Sequence, residues 1–159
     1  MRKPGFQKYL RSFLSRIKSI PRPLRKNERF SMTFHSSPVA IAISDFRSGE
    51  FIDVNRMFQV TVGRGMKEII GKTAYDLELY SSTAERERLT GPLAERGAIR
   101  NKEIKLKRKS GEIREALASF EKITLHGREC LLSMILDVTD RNTARANMSR
   151  MNRILSAIG

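Results

Sequence analysis

The chain has 159 residues, with 31 Lys and Arg against 17 Asp and Glu, a net charge of +14 and one cysteine. This length and apolar content point to one modest core with short extensions. A single cysteine excludes an intramolecular disulfide and fits a reducing compartment, no apolar run approaches the ~18 residues of a membrane span, and the N-terminus lacks the long apolar stretch of a secretory signal.

Residues 1–28 carry nine Lys/Arg and one Glu, whereas residues 29–139 carry eighteen and fifteen. The excess charge is therefore concentrated on an arm, which argues for contact with an anionic surface rather than for a basic core that grips nucleic acid. Within that arm Phe6, Tyr9, Leu10, Phe13, Leu14, Ile17 and Ile20 recur at helical spacing, while Lys8, Arg11, Ser12, Ser15, Lys18 and Ser19 fall on the other face. Pro21 and Pro23 end the helix, and residues 21–28 read as a stiff basic linker, with the folded domain starting near Arg29.

The run Pro38–Ser44 has strand length, Asp45–Gly49 supplies turn residues, and Glu50–Val54 alternates, so the segment predicts a hairpin. Asn55 caps a short helix to about Thr61, Met66–Ile70 is another, and Ser81 or Ser82 caps a longer one running to Arg96 and stopped by Gly97. Residues 100–108 alternate as a strand, residues 113–125 form a second and residues 128–138 a third, joined by turns at 109–112 and at His126-Gly127. Cys130 falls in the last of these, where a small buried hydrophobe is expected rather than a reactive thiol. Residues 140–159 place Ala144, Met148, Met151, Leu155 and Ile158 at alternating steps of four and three, a short coiled-coil seam that needs a partner to bury it.

This order of elements resembles the PAS sensory domain over residues 29–141. The resemblance is carried by Ser44-Asp45 closing the first strand, Phe51–Asn55 leading into a helix, Glu68–Lys72 at the next helix and turn, Lys107–Ile113 at a hairpin, and Asp137-Val138-Thr139 at the end of the last strand. Arg64, where relatives often have an aromatic, and Leu136, often basic, depart from the pattern. The implied fold is α+β: a five-stranded antiparallel sheet with short helices on one face, flanked by N- and C-terminal helices. The implied parts are 1–28 as a basic amphipathic helix and linker, 29–139 as the domain, and 140–159 as a signalling helix. In the family the closing motif ties sheet to helix, so Asp137 would accept from a nearby Lys, Arg or backbone N–H and Thr139 would cap the helix.

The family includes haem, flavin and metabolite binders. Residues 55–97 contain no histidine for an axial haem bond, the segment 74–80 lacks the cysteine of a light-sensing photoadduct, and Trp is absent. No cofactor is therefore expected, and no residues have metal-ligand spacing. An unidentified small ligand remains open, with Ser44, Asn55 and Ser133 as the pocket candidates. The Gly65–Thr73 stretch is no phosphate loop, because five residues separate its glycines where four are needed. No catalytic residues are assigned. The reading is a bacterial, cytoplasmic, non-catalytic signalling module acting as a homodimer or on another PAS-containing protein. Alternatives are the truncated input region of a sensor histidine kinase or diguanylate cyclase, and a nucleic-acid binder using the basic arm. For the arm itself, the inner membrane face, the sheet or a second copy, and nucleic acid all stay open.

Overall fold

The computed structural model describes residues 8, 11, 12, 15, 25–80 and 82–158. They fall into two compact units, 1–37 and 38–159. In the first, Lys8, Arg11, Ser12 and Ser15 are helical and exposed, as a polar face should be. Helix α1 (Arg25–Ser36) follows, with Phe34 edge-on to His35 at 5.1 Å. It begins inside the stretch read as a linker. The apolar residues Phe30, Met32 and Phe34 recur at every second position, which hides a helix from a periodicity reading. Of the apolar stripe of the arm, Phe6, Tyr9, Leu10, Phe13, Leu14 and Ile17 lie outside the described residues.

The second unit opens with β1 (Ala40–Asp45) and β2 (Phe51–Val54), then α2 (Arg56–Val62) and α3 (Met66–Ile69). Next come α4 (Thr83–Thr90), α5 (Leu93–Arg96), β3 (Ala98–Lys107), β4 (Ile113–Leu125), β5 (Arg128–Asp137) and α6 (Thr139–Ile158). The five strands form one sheet in the order β2-β1-β5-β4-β3, with every pairing antiparallel. The first and last strands are therefore neighbours near the centre.

The turns have local causes. The Asp45 carboxylate accepts from the N–H groups of Arg47 (2.9 Å) and Ser48 (2.7 Å), which folds the β1–β2 turn. His126 and Gly127 both take positive φ (49° and 78°), the two-residue geometry that matches strand twist. Arg128 then donates to Asp45 Oδ2 at 2.7 Å and pins these two turns together. The single helix expected to reach Arg96 is broken into α4 and α5. Pro92 lacks an N–H and crowds the carbonyl four residues back, so the ladder cannot run through it.

One sheet face and the helices enclose the core. Ala40 and Ala42 of β1, Ile104 and Leu106 of β3, Ala116, Ala118 and Phe120 of β4 and Ile135 of β5 pack with Val54, Phe58, Val62, Ile69, Leu77, Leu79, Leu89 and Leu93. The small alanines let the helices approach closely. Alternate residues Ile41, Ile43, Cys130, Leu132 and Met134 are buried on the opposite face, which is why β1 and β5 read as nearly continuous apolar runs, interrupted in β5 by Ser133. Burial pushes the Cys130 thiol up. No described helix is long and apolar enough to cross a membrane.

Candidate functional site

Two places on this scaffold can carry function: a cavity under the helices and the junction where β5 becomes α6. The cavity encloses about 50 Å³. Phe51, Phe58, Leu106 and Phe120 supply apolar wall, the first two with ring centroids 5.4 Å apart. Ser44 and Ser133 project into it from neighbouring strands, and among the described residues neither hydroxyl has a hydrogen-bond partner. No charged side chain lines it. A water needs about 10–15 Å³ by this measure, so the space fits a few small groups.

Asn55 is not part of that wall. It is fully buried, and its Oδ1 accepts from Ile41 N and Phe58 N, both at 2.9 Å, while Nδ2 donates to Val39 O at 2.8 Å. One side chain thus caps α2 and fastens it to β1. The Gly65–Gly71 interval holds the one-turn helix α3, whose Glu68 accepts from Gly65 N at 2.9 Å. Arg64, one of the two departures noted in the sequence, donates to Leu77 O at 3.3 Å.

The junction is a cluster of charged and hydroxyl groups. Arg114 of β4 donates through Nε to Asp137 Oδ2 at 2.8 Å, and Asp137 Oδ1 accepts from Thr139 N at 2.9 Å. Asp137 is therefore the side chain that receives the first helical N–H. Thr139 instead ties the helix to the sheet. Its Oγ1 accepts from Glu115 N (2.8 Å) and donates to Glu115 O (3.3 Å), while Val138 N also donates to Glu115 O (2.8 Å). The hydroxyl adds one rung to the β4–β5 ladder beyond the last strand residue. Asn142 Nδ2 donates to Glu115 Oε2 at 2.6 Å, one turn into α6. Partial burial pushes the Asp137 carboxyl up, but Arg114 and the Thr139 N–H outweigh it and hold the group below the ordinary carboxylate range. Asp137 and then Glu112 hold Arg114 charged.

Beyond Asn142, α6 leaves the sheet. None of its residues is buried. Ala144, Met148, Met151, Leu155 and Ile158 are exposed along it, and Ile154, which the seam did not include, is exposed beside them. Arg114, Glu112, Glu115 and Asn142 belong to the junction without any local sequence signal, since each meets its partner only across the sheet or a turn.

A family model described as the PAS fold matches residues 28–138. The chain belongs to the PAS family, whose domains are signalling sensory modules, generally non-catalytic. Among solved structures, an RNA-binding light-oxygen-voltage receptor superposes with a TM-score of 0.66 at 17% identity over 85% of this chain and 41% of that one, so the chain spans less than half of that receptor's length. The PAS domain of a Colwellia psychrerythraea protein gives 0.62 at 19% identity, over 72% of this chain and 98% of that one. The PAS domain of a LuxR-family transcriptional regulator from Burkholderia thailandensis, in complex with ethanol, gives 0.57 at 18%, over 69% and 96%. At such identities the likeness shows the fold alone. Among curated proteins, none matches the chain in sequence.

Proposed function

We propose that this chain is a non-catalytic sensory module that pairs with a second copy of itself through α6. The observation that carries the reading is the contrast within that helix. Its first turn is bonded to β4 through Thr139 and Asn142, while the rest presents an apolar seam to water. A helix of this length is marginal alone and gains most of its stability by burying such a seam. A shift in the sheet then reaches the helix through Asp137 and Thr139, to the extent that the stimulus binds the two states differently. Native mass spectrometry of the full chain tests this: the parent is a dimer and Met148→Asp/Leu155→Asp a monomer with the same folded spectrum. A monomeric parent at tens of micromolar sinks it.

The guest of the cavity is a neutral molecule of a few heavy atoms bearing a hydroxyl. The support is the uncharged lining, the free Ser44 and Ser133 hydroxyls and the small volume, together with ethanol in a similar domain. Neither haem nor flavin belongs to this reading. Residues 1–28 contact an anionic membrane surface, because their apolar stripe has a use there and none on nucleic acid. Full-length protein should sediment with anionic vesicles and not with neutral ones. Binding to RNA or DNA alone, weakened by salt, would favour the nucleic-acid reading instead.

A further inference from the structure

The turn between β3 and β4 reaches over the C-terminal end of α2. A helix end leaves its last carbonyls without intrahelical donors. Here Lys109 N donates to Val62 O at 3.0 Å and Arg108 Nη2 to Val60 O at 3.1 Å. The same helix carries Phe58, a wall of the cavity.

Arg108 is also the first of a run of alternating charges. Its Nη1 donates to Glu112 Oε2 at 2.9 Å, and Arg114 Nη1 donates to Glu112 Oε1 at 2.9 Å. Arg114 continues through Nε to Asp137, and Asp137 to Thr139 N. Side-chain bonds therefore run without a gap from the last turn of α2 to the first turn of α6. Glu112 is the middle link, with one oxygen on each guanidinium. Without its charge, Arg108 in the turn and Arg114 on β4 lose their shared counterion. The Glu112 side chain is 45% exposed, so these pairs contribute little stability; what they fix is relative position.

We infer that Glu112 is a positioning residue that links α2, the cavity wall, to α6 by bridging Arg108 and Arg114. The link presupposes that α6 is the output, as proposed above, and it bypasses the packed core. Coupling of this kind needs a response at one end to a change at the other, not contiguity alone.

The test is amide hydrogen exchange on the full chain. Phe58→Leu loosens α2 at the cavity wall, and Met57→Ala loosens it at a core contact outside the cavity lining; exchange at Gly63 reports that α2 has responded. In the parent, either change should raise exchange at Thr139–Asn142 by about threefold or more. In Glu112→Gln, and equally in Arg108→Gln, the Gly63 response should persist and the Thr139–Asn142 response should fall by more than half. The double variant should lose no more than either single one. Salt near 1 M, where screening acts within about 3 Å, should reproduce the loss in the parent. A Thr139–Asn142 response that survives in full in both variants would place the coupling in the core and overturn the inference. So would a Gly63 response that never reaches α6. Glu112→Gln should leave the dimer mass unchanged, so failure here is separable from failure of the pairing reading.

Discussion

The cavity and the strand-to-helix junction share β4 and β5 and are made of opposite materials. Phe120, Ser133 and Ile135 give the cavity a neutral wall. A few residues along the same strands, Arg114 and Asp137 build a charged, half-exposed cluster. The first region holds its shape by packing and should ignore salt and pH. The second contributes less to stability and should answer to both. A sheet can thus keep a tight guest site and a responsive output without one compromising the other.

The comparison breaks first at the cavity wall. Leu106→Ala removes a fully buried side chain from it and should cost about 2–5 kcal/mol in urea unfolding; a loss under about 1 kcal/mol would mean that the wall is soft. Asn55→Ala leaves Ile41 N, Phe58 N and Val39 O without their side-chain partner and should cost about 2–3 kcal/mol. Asp137→Ala should cost only about 1 kcal/mol, since its ion pair is partly hydrated, yet it should raise exchange throughout the first turn of α6 and weaken any dimer response to a cavity guest. Wild-type exchange there in a stable Asp137→Ala protein would remove Asp137 from the output. Lys107→Ala deletes an exposed pair with Glu78 and should change stability by less than about 0.5 kcal/mol.

Acid sharpens the contrast. The Asp137 carboxyl titrates below its unfolded value of about 3.9. Its stabilising share is complete above that value and is lost as pH falls through the folded value. Asp45, held at about 2 by the Ser48 N–H and Arg128, behaves in the same sense at the other end of the sheet. Unfolding followed from pH 5 downward should flatten in Asp137→Asn relative to the parent, whereas Ser133→Ala should leave the slope unchanged.

Much of this was legible where local chemistry decides. The limits of β4 and the turn at His126-Gly127 follow from alternation and turn residues, and Asn55 as an N-cap follows from its place before an apolar helix face. The partner of Asp137 was legible too, though unread. A two-residue turn that pairs Leu125 with Arg128 sets Asp137 opposite Ala116, which leaves Arg114 on the diagonal. What could not be read depends on tertiary placement. Asn55 looked like a pocket residue because nothing local shows that β1 claims its remaining hydrogen bonds. Glu112 joins two arginines only because the hairpin tip leans on α2. Helix α1 escaped because Phe30, Met32 and Phe34 together mimic a strand period.

The strand order has a consequence for how the molecule is made. β1 leaves the ribosome early, but the neighbour that completes it, β5, is nearly the last part of the domain to be synthesised. Until Asp137 emerges, the first hairpin has no centre to join, and the edge of β1 that faces away from β2 must wait unpaired. Sequence-distant pairing of this kind slows folding, so a nascent chain should engage holdase chaperones until β5 has emerged, and the domain should commit to its native form only then.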